Sequence, residues 1–308
     1  MLGFFKGAGM DNKIGKNPDR INSTRKTNLL NFYEDNFERK RLKSQKAFLF
    51  QFAKDYYDRF ISKLEDGNFL DMGCSTGEQA MMFCKGRKEI KNFVGIDREE
   101  KAIDFARKKY PKGHFYVCDV EIEGFDDFLY SVEEELQIEG FEIINISMLL
   151  LHLKKPYKLL NVLSKHLNKG GRIVILDIDD SSNISSPDEK GIFARAMELC
   201  AISKYSGNRT TGREVPELLS ETKMKNIKLH KKGISTKGMD SKQRKKLFDV
   251  YFSFILDDLR KMNKENPKDI EVAQNLEWME ANYRTMLKIF KDESFFFSLG
   301  CVLFSAIK

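Results

Sequence analysis

The 308-residue sequence is poor in the side chains that most often bind transition metals, with four histidines and five cysteines. The cysteines lie far apart and form no C-x-x-C pair, at Cys74, Cys84, Cys118, Cys200 and Cys301. An odd number of dispersed cysteines argues against a zinc site and against a disulfide framework. We therefore predict no metal site, and we expect the reducing cytoplasm as the compartment.

Long apolar runs are also missing from the sequence. No stretch approaches the roughly 20 residues that span a bilayer, so we predict no membrane partner. The first ten residues contain scattered apolar side chains without the continuous hydrophobic segment of a signal peptide. Hydrophobic residues make up 41% of the chain and charged residues 32%, a composition typical of a globular protein.

Charge of one sign is in excess, but it is not concentrated in one place. The formal net charge is +7, the sign expected of a protein that binds nucleic acid. Acidic residues are interspersed almost everywhere, and even the densest basic run, residues 242–246, lies between Asp240 and Asp249. This pattern is more typical of a lysine-rich solvated surface, so we do not expect nucleic acid as a partner.

Hydrophobic periodicity divides the chain into segments. Helical spacing begins near Thr27, and from about residue 65 short apolar runs alternate with helical stretches. This alternation predicts a doubly wound α/β fold, in which a mostly parallel sheet carries helices on both faces. A polar stretch, Asp179–Glu189, is expected to be a loop. The predicted segments are a mobile leader at 1–26, N-terminal helices at 27–64, an α/β core at 65–238, a helical insertion at 239–292 and a last strand at 293–308.

One strand-to-helix turn carries the strongest functional signal, in the segment Asn68-Phe-Leu-Asp-Met-Gly-Cys-Ser-Thr-Gly-Glu78. Gly73 and Gly77 let the backbone approach a ligand with no Cβ in the way. A dinucleotide site needs G-x-G-x-x-G spacing, which this turn lacks. Asp71 at the strand end would repel a pyrophosphate and attract a cation. The turn therefore suits the sulfonium and ammonium of S-adenosylmethionine better than it suits NAD.

Two more acidic residues end the next two predicted strands. Asp97 follows Val94-Gly-Ile, and Asp119 follows Val117-Cys. A carboxylate after the second strand can accept hydrogen bonds from the ribose hydroxyls, and one after the third can accept from an adenine amino group. Each residue alone could be a helix cap. Together with the glycine turn, they predict a site for an adenosine-containing cofactor.

These motifs resemble those of class I S-adenosylmethionine-dependent methyltransferases, over about residues 65–235 and the last strand. Ser147-Met-Leu-Leu-Leu-His152-Leu-Lys-Lys-Pro156 resembles the family's S-x-x-L-H-H-L-x-x-P segment after strand four, and Leu167-Asn-Lys-Gly-Gly171 resembles the start of strand five. The resemblance implies a seven-stranded, mostly parallel sheet whose last two strands are antiparallel. It also implies that the N-terminal helices and the insertion form a cap.

The resemblance further implies a role for each matched position. The implied cofactor residues are Asp71, Gly73, Cys74, Ser75 and Gly77 around the methionine half, Asp97 at the ribose, Arg98, Asp119 and Val120 at the adenine, and Asn145 and Ser147 under the sulfonium. His152 is interpreted either as the general base of methyl transfer or as a structural residue. Leu151 replaces the first histidine of the family's pair, which argues against a mechanism that uses two histidines.

The additions to the core bear on the choice of acceptor. Helices over the carboxyl edge of the sheet would enclose a small molecule more readily than they admit a duplex. We therefore expect an S-adenosylmethionine-dependent methyltransferase that acts on an oxygen or nitrogen of a small-molecule acceptor. The alternatives are an RNA or protein methyltransferase, and a cofactor-binding regulatory or partner protein without strong catalysis. Asp177, Asp179 and Asp180 could bind Mg²⁺ with Asn145, but they are more typical of solvated loop carboxylates.

Overall fold

The structure is a computed structural model that describes residues 36–308, with side chains from Lys40 onward. The predicted leader, and the part of the predicted N-terminal helices before Asn36, lie outside the described residues. The described part forms one sheet of eight strands with helices on both faces. The prediction of a doubly wound, mostly parallel α/β fold is confirmed.

Seven strands of the sheet run in one direction, and the last strand of the chain runs antiparallel to them. The strands are β1 (Gly67–Met72), β2 (Ile90–Asp97), β3 (His114–Val117), β4 (Phe141–Ser147), β5 (Leu167–Ile178), β6 (Ile184–Ser186), β7 (Lys225–Ser235) and β8 (Phe296–Ile307). Their order is β3-β2-β1-β4-β5-β8, and β6 and β7 both pair with β8. The first five strands run parallel, whereas every pairing of β8 is antiparallel.

Helices connect most of these strands. They are α1 (Asn36–Ile61), α2 (Glu78–Cys84), α3 (Glu100–Lys109), α4 (Phe125–Leu136), α5 (Pro156–Lys165), α6 (Ile192–Ala201), α7 (Thr211–Ser220), α8 (Ser241–Glu265) and α9 (Ile270–Lys291). Two 3-10 helices, Leu150–His152 and Asp180–Ser182, follow β4 and β5. Within the described residues, each helix is too short or too polar to cross a membrane.

The central strands are buried on both faces, so their side chains alternate between two hydrophobic layers. Phe69 and Ile143 belong to one layer, and their neighbours Leu70 and Ile144 belong to the other. Helices α1, α2, α3, α6, α8 and α9 cover the first layer, and α4, α5 and α7 cover the second. This two-sided burial explains the adjacent apolar residues Phe69-Leu70 in β1 and Ile143-Ile144 in β4.

The sequence does not predict the short strand β6. It lies within the predicted loop Asp179–Glu189 and pairs with β8, Ile184 opposite Ser298 and Ser186 opposite Phe296. The loop prediction is therefore wrong over these three residues. A segment of this length is too short for a periodicity signal, and the partner that stabilises it lies far along the chain.

A buried arginine holds the ends of the insertion together. Arg244, in the first turn of α8, is 4% exposed. Its guanidinium donates to the carbonyl oxygens of Phe290, Asp292 and Phe295, at 3.3, 2.9 and 2.7 Å. It also donates to the Thr236 carbonyl before α8. Arg244 thus connects the start of α8 to the end of α9 and to the chain that enters β8.

Candidate functional site

The topology places a crevice at the carboxyl ends of the strands. β1 has β2 on one side and β4 on the other, which makes it the point where the strand order reverses, the usual ligand site of an open α/β sheet. The register sets Asp71 beside Gly95 of β2 and Asn145 of β4. Asp97 likewise pairs with Val117 at the end of β3. The predicted strand-end residues are therefore brought to one edge.

The turn after β1 adopts left-handed backbone conformations at three positions. The φ angles are 69° at Gly73, 49° at Ser75 and 69° at Gly77. The N–H groups of Gly73 and Cys74 donate to the Ile96 carbonyl at 2.8 and 3.0 Å, which fastens the turn to β2. A Cβ on Gly77 would lie 2.9 Å from the ring of Phe115. At position 77, both the backbone conformation and the available space therefore favour glycine. Ser75 has a left-handed conformation that is strained for a residue with a Cβ.

A buried chain of hydrogen bonds runs from Asp71 to α1. Asn145 donates from Nδ2 to Asp71 Oδ1 at 2.6 Å, and the Tyr57 hydroxyl donates to Asn145 Oδ1. All three side chains are at most 4% exposed. Burial raises the pKa of Asp71 to about 7, despite the opposing hydrogen bond from Asn145. A carboxyl group so far from water is a strong candidate for pairing with a cationic ligand.

Asp97 fastens the same turn from the end of β2. Its Oδ2 accepts from the Ser75 N–H at 2.8 Å, and its Oδ1 accepts from the Glu99 N–H at 3.0 Å. Burial raises the pKa of Asp97, and these two N–H donors oppose that rise. Each oxygen keeps a further lone pair, so the carboxylate can also accept from a diol. Arg98, next along the chain, is exposed.

The remaining predicted cofactor residues lie at the ends of β3 and β4. Asp119 and Val120 are partly buried just after β3, and Asp119 Oδ1 accepts from the Glu121 N–H at 3.0 Å. Ser147 Oγ, at the end of β4, accepts from Gln79 Nε2 of α2 at 2.7 Å. Asp119 thus caps its own turn, and Ser147 joins β4 to the helix that follows the glycine turn.

His152 lies in the 3-10 helix after β4, and its side chain is exposed. A Cβ on Gly207 would lie 3.1 Å from His152 Nδ1, so the backbone at Gly207 lies against the imidazole. The Asn208 N–H donates to the Leu151 carbonyl at 2.7 Å, which anchors that segment beside the 3-10 helix. The hydrogen bonds of Asp71 and Asp97 do not involve His152, and its role as a base stays a prediction.

The carboxylates after β5 are bound by arginines. Arg209 donates to both oxygens of Asp180 at 2.8 and 3.1 Å, and Arg213 donates to Asp179 at 3.0 Å. Asp177 is wholly buried, and burial raises its pKa to about 7. Within residues 36–308, His, Cys, Asp and Glu side chains form no group of three that could hold a metal ion.

Two residues of α1 belong to this site although sequence patterns do not single them out. Tyr57 lies in a helical pattern of large apolar residues that is typical of a core. Its hydrogen bond reaches a residue 88 positions away. Lys46, one of several lysines in α1, donates from Nζ to Thr76 Oγ1 of the glycine turn at 2.8 Å. Only the tertiary contacts distinguish these residues from their neighbours.

Comparison with known proteins identifies the family. A family model described as a methyltransferase domain matches residues 63–222, just over half of the chain. Among curated proteins, none has significant sequence similarity to the chain.

Several solved structures are similar to this chain at low sequence identity. One similar chain comes from the structure of a complex between the Haloferax volcanii Trm112 methyltransferase activator and a methyltransferase. It is 14% identical to this chain, the match covers 88% of this chain and 93% of that chain, and the TM-score is 0.51. YcgJ of Bacillus subtilis is 15% identical, with 83% and 98% covered and a TM-score of 0.49. Phosphoethanolamine N-methyltransferase 2 of Haemonchus contortus, in complex with S-adenosyl-L-methionine, is 15% identical, with 81% and 50% covered and a TM-score of 0.41. From the family match it follows that the chain belongs to this methyltransferase-domain family and is an S-adenosylmethionine-dependent methyltransferase.

Proposed function

We propose that this enzyme methylates an oxygen or nitrogen of a small-molecule acceptor. The bound cofactor supplies a methyl group that is already activated by its sulfonium, so the protein mainly has to align the acceptor and exclude water. The observation that carries the proposal is that side-chain hydrogen bonds connect α1 and α8 to each other and to segments at the carboxyl edge of the sheet.

Three hydrogen bonds connect α1 and α8 to each other and to segments at this edge. Arg41 of α1 donates to the Val250 carbonyl of α8 at 3.3 Å. Tyr251 of α8 accepts from Asn183, in the connection after β5, at 2.7 Å. Lys46 of α1 contacts the glycine turn. Helices over this edge favour an acceptor that is small enough to fit beneath them. They count against a nucleic-acid duplex as the acceptor.

In this proposal, different residues at the carboxyl edge of the sheet contact different parts of the cofactor. The methionine half contacts Asp71, Gly73, Cys74, Ser75 and Gly77, the ribose contacts Asp97, the adenine contacts Asp119 and Val120 beside Arg98, and Asn145 and Ser147 lie under the sulfonium. The left-handed turn supports the first group, because a glycine backbone allows close approach. The buried Asp71 carboxyl supports an ammonium partner.

The raised pKa of Asp71 predicts a pH dependence of cofactor binding. Its pKa is about 7 in the free protein, and only the ionised carboxylate attracts an ammonium, so protonation below that pH competes with the ligand. The affinity for S-adenosylhomocysteine should therefore fall about tenfold between pH 8 and pH 6, as measured by calorimetric titration. Asp71→Asn should bind more weakly at pH 8 and lose this dependence.

Asp177 provides the matched control for this prediction, because burial raises its pKa to about 7 as well. Asp177→Asn should keep the pH dependence of the wild-type protein. A wild-type affinity that stays constant from pH 8 to pH 6 would contradict a role for Asp71 as the partner of the ammonium.

A labelling experiment tests the acceptor class. The enzyme is incubated with methyl-labelled S-adenosylmethionine and a cell extract, which is then separated into small molecules, protein and RNA. Label in the small-molecule fraction is the expected result, and label confined to RNA or protein would overturn the proposal. Cofactor binding without transfer to any fraction would indicate a regulatory protein instead.

The proposal extends to His152 as the general base for an acceptor that must lose a proton. It follows Ser147 closely in the chain, and imidazole titrates near neutral pH. With an identified hydroxyl acceptor, His152→Gln should lower kcat by about 10²- to 10⁴-fold and leave the affinity for S-adenosylhomocysteine unchanged. A variant that retains the wild-type kcat would assign His152 a structural role.

One feature favours RNA as a second candidate acceptor. The edge strand β7 exposes Lys225, Lys228 and Lys232, a basic strip of the kind that contacts phosphates. Lysines on an edge strand also prevent strand-to-strand aggregation, which requires no ligand. RNA binding that weakens steeply with salt would support this candidate, and weak binding that is independent of salt would count against it.

A further inference from the structure

Lys46 of α1 is a cation that is partly removed from water, within the candidate cofactor site. Its side chain is 14% exposed. Its Nζ donates to Thr76 Oγ1 at 2.8 Å and to Glu78 Oε2 at 3.3 Å, on either side of Gly77. We propose that Lys46 binds the carboxylate of the methionine part of S-adenosylmethionine. This inference rests on the cofactor site proposed above.

The charges around the glycine turn leave room for an anion. Glu78 is shared between Lys46 and Lys109, which contacts its other oxygen. Two lysines thus face one carboxylate, and Asp71 also interacts with Lys46 electrostatically. Lys109 is 40% exposed and well solvated, whereas Lys46 is largely removed from water. Of the two lysines, Lys46 should therefore attract an anion at the turn more strongly, because solvent screening is weaker there.

The position of Lys46 complements that of Asp71. The amino-acid end of the cofactor carries an ammonium and a carboxylate on the same carbon, so a site for it needs an anion and a cation close together. Asp71 lies at the start of the turn and Thr76, the hydrogen-bond partner of Lys46, lies near its end. The two side chains also interact electrostatically. One group of each sign, Lys46 of α1 and Asp71 of β1, therefore lies beside the turn.

A purely structural ion pair does not explain the burial of Lys46. Exposed lysines on the same helix, such as Lys43, keep their charge in water at little cost. Burial lowers the pKa of Lys46, and the Glu78 carboxylate opposes this only in part. An ammonium has three N–H donors, and the described residues supply Lys46 with acceptors at Thr76 and Glu78. The third donor is suited to a ligand oxygen.

The test compares two ligands that differ only in the carboxylate. S-adenosylhomocysteine carries it, and S-adenosyl-3-thiopropylamine has the same nucleoside, thioether and amine without it. The wild-type protein should bind the first more tightly. Lys46→Met should lose about 10- to 100-fold in affinity for S-adenosylhomocysteine and bind the thiopropylamine as the wild type does. Calorimetric titration at one pH and ionic strength measures all of these affinities.

Two further variants make the result specific. Lys109→Met removes the other cation on Glu78 and should keep the wild-type preference for the carboxylate. Lys46→Arg, which retains a donor and a positive charge, should keep most of that preference. Equal losses of Lys46→Met on both ligands, or a loss on neither, would overturn the role of Lys46 and leave the cofactor site standing. Failure of the wild-type protein to bind S-adenosylhomocysteine would overturn both.

Discussion

Asp97→Asn is expected to weaken the binding of S-adenosylhomocysteine by about 1–3 kcal/mol. In our account the Asp97 carboxylate accepts from the ribose hydroxyls while it holds the N–H groups of Ser75 and Glu99. Asparagine keeps one acceptor oxygen, so it can accept only some of these hydrogen bonds. Because the lost bonds are charge-assisted, the effect should exceed that of a neutral hydrogen bond. Calorimetric titration of the wild-type and variant proteins measures it.

The ligand series separates the ribose role from damage to the turn. Asp97→Asn should weaken adenosine and S-adenosylhomocysteine by the same factor, because both carry the ribose. Asp71→Asn should weaken S-adenosylhomocysteine and leave adenosine unchanged. Asp104→Asn, whose side chain is 54% exposed on α3, should change neither. Unaltered affinity for both ligands in a folded Asp97→Asn protein would remove Asp97 from the site.

Arg244→Leu is expected to lower the free energy of unfolding by about 3–5 kcal/mol. The guanidinium is buried, and its partners are backbone carbonyls at the end of α9, before β8 and before α8. Without it, these carbonyls lose a charged donor inside the protein, and a buried acceptor left without a partner carries the full desolvation penalty. Chemical unfolding of the purified variants measures the loss.

Arg260 on the same helix is the matched control. It pairs with Glu280 of α9, but the two side chains are 53% and 48% exposed, and an exposed pair contributes only about 0–1 kcal/mol. Arg260→Leu should therefore leave stability nearly unchanged. Arg244→Lys should lie between the two, because one ammonium cannot reach all the carbonyls that a guanidinium reaches. Equal stability losses for Arg244→Leu and Arg260→Leu would contradict the structural role of Arg244.

The parallel core could be predicted from sequence because its signals are local. The central strands are buried on both faces, so adjacent residues in them are apolar, and the helices between them carry their own periodicity. The glycine turn and the acidic strand ends are also local patterns. Parallel pairing then brings the carboxyl ends together, so Asp71, Asn145 and Asp97 meet without any long-range information in the motif itself.

The parts that could not be predicted depend on contacts between distant segments. Tyr57 and Lys46 resemble an ordinary core tyrosine and an ordinary surface lysine until α1 lies against the glycine turn. β6 exists only because β8 provides its hydrogen bonds. In sequence Arg244 looks like one residue of a basic run, and its burial depends on carbonyls at the end of α9 and just before β8. No pattern within one segment contains this information.

The most direct test of the account is isothermal titration of the wild-type protein with S-adenosylmethionine, S-adenosylhomocysteine and NAD. We expect micromolar dissociation constants for the two sulfur compounds, since Lys46 and Asp71 match the charges of the amino-acid end and Asp97 can accept from the ribose hydroxyls. We expect no binding of NAD, because Asp71 opposes a pyrophosphate. Binding of NAD, or failure to bind either sulfur compound, would contradict the cofactor site described here.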